Sequence, residues 1–301
     1  MKFCRPRTIL LLLFAAMLAG LLPQRATAQL MVTLEMNKKA FLAYEPILAT
    51  VVVANRTGKD VILGDHQGRG WLAFDIASIG GDRVRPLATA PRLDPKVVEK
   101  GKSVRDTVSL GHFYPLGGQD NYSVRAAVYF SETGQAFVSN TAAIRIMEGQ
   151  RFWEDKVGIT RPNNPTVYRR FSLISFQEEN KMSLYVRVRD EKTQRVVATY
   201  ALGRLVPHRE PQATLDGENQ LHVLFLTGPH YFRHCVIDAD GHKISEQIHE
   251  DKSGSFPTLM VSDTGAVRVD GGRPYDPNAP PEQPREVIHR LTERPPGAPP
   301  E

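Results

Sequence analysis

Five of the nine histidines in this 301-residue chain fall between His222 and His249. Clustered imidazoles are the commonest raw material of a transition-metal site, so their spacing is the first thing to test. His230 and His234 are four residues apart, a spacing that chelates one ion on a helix. On a strand it separates them by about 13 Å, too far for one ion. Tyr231, Phe232, Cys235, Val236 and Ile237 around them favour a strand, and neither His-Glu-x-x-His nor a cysteine pair accompanies them. A metal site would therefore have to join His222, His234 and His249 across neighbouring strands. The favoured reading is surface or hydrogen-bonded structural histidines, and no metal ligand or cofactor is assigned.

Other segments carry partial signatures. Asp238-Ala239-Asp240-Gly241 begins like a calcium loop, but His242 stands at the third acidic position and Glu246 arrives too early, so a turn is expected. The glycine-rich run Gly64 to Gly70 lacks the Gly-Lys-Ser/Thr ending that would hold phosphate, which leaves an exposed loop. No Gly-x-Ser-x-Gly elbow is present, and no spacing singles out a nucleophile with its base, so no catalytic residue is assigned. Cys235 precedes Val236 and Ile237 in an apolar run and reads as a small buried hydrophobe.

The elements that would position these residues begin after a leader. Lys2, Arg5 and Arg7 precede an apolar run from Ile9 to Leu22 that closes in Ala26-Thr27-Ala28, the pattern of an export signal cleaved after Ala28. The expected location is periplasmic or extracellular, with no membrane span after cleavage. The whole chain has 38 Lys and Arg against 33 Asp and Glu. Losing Lys2, Arg5, Arg7 and Arg25 would leave 34 against 33, which removes the compositional case for a nucleic-acid partner. Only one cysteine would remain, so stability has to come from core burial.

From residue 30 to 147 the hydrophobic period is two. Strands are expected at Leu30 to Met36, Ile47 to Asn55, Leu72 to Ser78, Ser103 to Leu110, Tyr122 to Phe130 and Ala142 to Met147, with weaker runs at Val61 to Leu63 and Ala136 to Ser139. Tyr122, Val124, Ala126, Val128 and Phe130 share one face of their strand, while Ser123, Arg125 and Tyr129 fall mainly on the other. Short strands punctuated by turn residues, without an amphipathic helix, fit an all-β two-sheet sandwich.

Tyr44-Glu45-Pro46 leading into Ile47 to Asn55, then Trp71 to Phe74, Leu110 to Tyr114, and Tyr122 to Ala126, resembles bacterial immunoglobulin-like or fibronectin-like extracellular β-sandwich modules. The resemblance covers residues 30 to 147 only and lacks the paired cysteines of antibody-type domains. It implies a sandwich with a tyrosine at a strand corner, and a role in adhesion, scaffolding, inhibition or enzyme accessory work.

Residues 148 to 166, rich in Gly, Pro and Asn, read as a linker. A second β-rich domain is expected over 167 to 272, with strands at Phe171 to Phe176, Met182 to Arg189, Arg195 to Leu202, Leu221 to Leu226, His230 to Asp238, Lys243 to His249 and Val267 to Val269. Two segments offset by 46 residues, starting at Pro211 and Pro257, are similar enough to suggest two blade-like hairpins, as in a propeller. The length is too short for a closed ring of at least four blades. The tail from Arg273 to Glu301 holds nine prolines in 29 residues and is expected to be disordered.

These features point to an exported, non-enzymatic binding or scaffold protein acting on a protein or cell-envelope component. The candidate contacts are His66, Arg69, His112, Phe113 and Tyr114, from loops that combine glycine freedom with cationic and aromatic side chains. An immunoglobulin-like proteinase inhibitor and a hydrolase or metalloenzyme using the histidine-rich domain are the alternatives.

Overall fold

A computed structural model describes residues 30–64, 70–88, 93–130, 132, 134–160, 166–251 and 255–276. The leader, most of the Gly64 to Gly70 loop with His66 and Arg69, and nearly all of the proline-rich tail lie outside these residues. The described chain is nearly all β, and none of its helices is long and apolar enough to cross a membrane. It divides into two compact units. The first reaches to Leu205 and includes Ala239–His242; the second comprises Val206–Asp238 and the chain from Lys243 onward.

In chain order the first unit contains β1 (Leu30–Met36), β2 (Ala40–Leu42), β3 (Leu48–Asn55), β4 (Val61–Leu63), β5 (Leu72–Ser78), β6 (Lys96–Val98), β7 (Ser103–Ser109), β8 (Asp120–Phe130), β9 (Gln135–Val138), β10 (Ala142–Met147), β11 (Gln150–Ile159), β12 (Val167–Glu178), β13 (Lys181–Asp190) and β14 (Val196–Arg204). One sheet has the order β1-β3-β7. A second runs β2-β10-β8-β5 with β9 also on β8, and β4 pairs β6. The period-two pattern does what it predicts. Ala49, Val51 and Val53 on β3 and Val124, Ala126 and Val128 on β8 are buried, and they join one core with Phe41, Leu63, Trp71 and Ile76. Burying each valine- or leucine-sized side chain contributes roughly 1.5–3 kcal/mol.

Two sheet borders are closed by side chains. Tyr114 sends its hydroxyl to β5, donating to the Phe74 carbonyl at 2.6 Å and accepting from the Phe74 N–H at 2.9 Å. On β1 the Asn140 amide does the same for Leu34, with its Oδ1 accepting from the N–H at 2.9 Å and its Nδ2 donating to the carbonyl at 3.0 Å. Side chains that use up edge donors and acceptors remove a template for unwanted pairing.

The expected linker is mostly strand. β11 pairs β12 in the antiparallel sheet β11-β12-β13-β14, and the unit boundary falls at Leu205 instead of within residues 148 to 166. The physical reason lies in β13, whose side chains reach into the 38–45 segment of the sandwich. Lys38 pairs with Glu45 and donates to the Tyr185 hydroxyl at 3.0 Å, and the Arg187 guanidinium donates to the Ala43 carbonyl at 2.6 Å over the Tyr44 ring. Burial opposes the charge on Lys38, but its bonds to Glu45 and Tyr185 outweigh it and hold the ammonium above its ordinary pKa. Leu42 packs with Ile174, Phe176 and Tyr185 in a small cluster of its own.

The second unit contains β15 (Gln212–Leu215), β16 (Leu221–Leu226), β17 (Tyr231–Ile237), β18 (Lys243–Glu250), β19 (Thr258–Val261), β20 (Val267–Asp270) and β21 (Arg273–Pro274). The order β15-β16-β17-β18-β21 forms one sheet, and β19-β20 is a separate hairpin. The two similar segments at Pro211 and Pro257 each open a hairpin, β15-β16 and β19-β20. The Asp238 to Gly241 and Asp263 to Gly265 segments are turns, in which Gly241 and Gly265 take φ of 85° and 80°.

Candidate functional site

Two places in the chain gather chemistry, one in each unit. In the first unit, β2, β10, β8 and the end of β5 present their outer face to a groove of about 610 Å³, which also takes in the turn after β12. Register brings its parts together: Arg145 stands opposite both Asn121 and Ala40, and Ala143 opposite Ser123. Small side chains at 40, 123 and 143 leave the space, and Ile79 and Met147 supply apolar surface. Ile79 is 79% exposed and borders the groove. Polar groups converge there as well. Arg145 Nε donates to Asn121 Oδ1 at 3.1 Å, and Lys39 contributes a second cation. Burial, reinforced by Asp120, raises the Tyr122 phenol, so it stays a neutral donor and acceptor. A concave, largely apolar site of a few hundred cubic ångströms with a few polar groups is the usual form of a ligand site.

The candidate contact residues fare differently. His112 is exposed at the end of a short 3-10 turn, Leu110–His112. Phe113 and Tyr114 are 9% and 4% exposed and belong to the sandwich core, so neither is offered to a partner. Both rings meet Phe74 edge-on, at 6.5 and 6.3 Å, and the Tyr114 hydroxyl is spent on β5. Glycines nearby made this segment read as a loop, but its two aromatics are inward anchors. The groove, by contrast, escaped sequence reading because its lining comes from separate segments around residues 40, 79, 121, 145 and 178. An isoleucine placed between the end of a well-alternating strand and Gly80-Gly81 was the available signal.

In the second unit, β16, β17 and β18 carry His222, His234 and His249 diagonally on one face. His222 Nδ1 lies 3.1 Å from His234 Nε2, and His222 Nε2 lies 3.1 Å from Asp216 Oδ2. With Asp216 ionised and both rings neutral, one proton arrangement satisfies both contacts: His222 Nε2–H donates to Asp216, and His234 Nε2–H donates to His222 Nδ1. The two rings stack at 5.2 Å, and His249 meets His234 edge-on at 6.3 Å. His249 is buried, and among the described residues its Nε2 has no hydrogen-bond partner. Burial, then the neighbouring His222 and His249, pushes the His234 pKa down to about 4, and burial lowers that of His249. The sheet thus brings together the three histidines that a cross-strand site required. Among the described residues, however, no three His, Cys, Asp or Glu side chains are placed to hold a metal ion. Cys235 projects to the opposite face of β17. Burial, with the Glu246 charge adding to it, pushes its thiol up to about 11, so it is not an activated nucleophile.

No family model matches the chain, and no curated protein matches it. Among solved structures it is similar to the crystal structure of Spo0M, a sporulation control protein from Bacillus subtilis. The identity is 11%, the match covers 57% of this chain and 90% of that one, and the TM-score is 0.25, a superposition too weak to inform fold or function.

Proposed function

We propose that this is an exported, non-enzymatic binding or scaffold protein whose first unit takes up a protein or cell-envelope partner in the groove on the outer face of β2, β10 and β8. The observation that carries this reading is the groove itself, where an exposed Ile79 and the apolar Met147 stand beside the converging Arg145, Asn121 and Lys39. Apolar surface supplies affinity there, and the cations and amide supply orientation. Export rests on the leader sequence, and the immunoglobulin-like character of residues 30 to 147 rests on the strand pattern and a tyrosine bonded to an edge strand. The blade-like hairpins of the second unit belong to the same proposal. The hydrolase alternative gains no support from the Asp216-His222 pair, because its third member is an imidazole and not a hydroxyl or thiol.

The test is capture from envelope extract by residues 29–301, followed by titration of the purified partner against the wild type and the double variant Ile79→Glu, Arg145→Glu. A tenfold or greater loss of affinity in a variant that melts like the wild type supports the groove. Equal affinity removes it.

A further inference from the structure

The histidine array in the second unit is coupled by register to the packing of a neighbouring hairpin. Leu224 is the cross-strand partner of His234, and Phe232 is the partner of His249. Those two apolar residues, with Leu226, form the small core on which Leu259 and Val269 of the β19-β20 hairpin pack. Leu259 is further tied by its N–H donating to Gln212 Oε1 at 2.9 Å. The hairpin is therefore seated on a surface interleaved with imidazoles.

The array tolerates one added proton but not two. A single imidazolium at His222 can donate to Asp216 on one side and to His234 on the other. A second proton on His234 turns both facing nitrogens into donors and sets two cations about 3 Å apart in a partly dry site. Few groups are present to relieve this. From the β15-β16 turn Asp216 already serves His222; β18 contributes His249 and the uncharged Gln247; β19 and β20 contribute apolar Leu259 and Val269. Arg209 adds a further cation on the apolar side, 6.0 Å from the Phe232 ring and 4.2 Å from the Phe256 ring. The Arg233, Glu246 and Lys243 ion pairs lie on the opposite face of the sheet.

We propose that the array is an acid-operated latch, in which protonation of a second imidazole breaks the His222–His234 bond and releases the β19-β20 hairpin from Leu224, Leu226 and Phe232. The sign follows from linkage. A histidine whose folded pKa is depressed contributes stability that is fully present above its unfolded value of 6.5 and is lost as pH falls through about 4. Protonation of His234 therefore works against the closed array, which weakens as pH falls toward 4.

Hydrogen exchange on residues 29–301 at pH 7 and pH 4.5, corrected for intrinsic rates, tests this directly. The expected result is at least a tenfold loss of protection in peptides covering 256 to 270 at pH 4.5, with β3 and β8 unchanged, and recovery of that protection in His234→Gln, which keeps a hydrogen-bonding side chain but cannot titrate. Unchanged protection in the wild type, or equal loss in His234→Gln, overturns the latch. Histidine-ring NMR of the wild type supplies a test that needs no variant. Ring titration of His234 near pH 4 together with the hairpin signals supports the latch, and titration near 6.5 refutes it.

Discussion

Replacing Tyr114 with Phe deletes one oxygen from the sandwich core and leaves the ring in place. That oxygen makes two bonds to β5, at 2.6 and 2.9 Å, where the tyrosine is 4% exposed. Each bond is worth about 1 kcal/mol net, and leaving a buried N–H and carbonyl unmatched adds a desolvation penalty, so the loss should total about 2–3 kcal/mol. The edge-on contact with Phe74 survives, which keeps the change from being a cavity mutation. Trp71 is fully buried in the same core and donates its indole N–H to the Asp94 carbonyl at 2.9 Å, so its fluorescence reports on the sandwich. The chain's other tryptophan, Trp153, would be changed to Phe to isolate that signal. At a urea dependence of about 2 kcal/mol per molar, the unfolding midpoint should fall by roughly 1–1.5 M. A shift below about 0.2 M would mean that the hydroxyl is solvated and that β5 is not closed by it. Partner affinity should be unchanged in the folded variant; a loss would return Tyr114 to the contact surface.

Gly149 joins β10 to β11, and a methyl group there would meet Ile174 Cγ2 at 2.5 Å and the Ser175 carbonyl at 2.6 Å. Gly149→Ala should therefore cost about 2 kcal/mol and lower the melting temperature by roughly 5 °C in calorimetry, whereas an unchanged Tm would show that the connection can shift. Cys235, with its thiol pushed up to about 11 by burial, should resist an aromatic disulfide reagent at pH 8 and react only after unfolding in urea. Rapid native-state labelling would refute its burial.

Much of the strand content was legible because burial in a two-sheet core imposes a period of two on any strand long enough to display it. β1, β4, β5, β10 and β16 match their expected limits residue for residue. Strands escaped where that pressure is weak. β2, β4 and β6 have three residues each, too few to show a period, and of these only β4 was read, from its apolar Val-Ile-Leu run; β11 is a mixed, partly exposed strand reading Gln-Arg-Phe-Trp-Glu-Asp-Lys-Val-Gly-Ile. The histidines show the same division. Their β context was readable, but their diagonal placement and the 3.1 Å contact between His222 and His234 depend on strand register, which local sequence does not specify.

Alternation and turn chemistry are local properties, so the sequence by itself determined an all-β chain, the inward face of β8, and the turns at Asp238 to Gly241 and Asp263 to Gly265. Tertiary structure decided which side chains are spent on the fold and which remain available. It turned Phe113 and Tyr114 inward, used Lys38 and Arg187 to join β13's sheet to the sandwich, and assembled the groove from five separated segments. Burial and pairing are properties of what lies across from a residue, and only the folded chain supplies that neighbour.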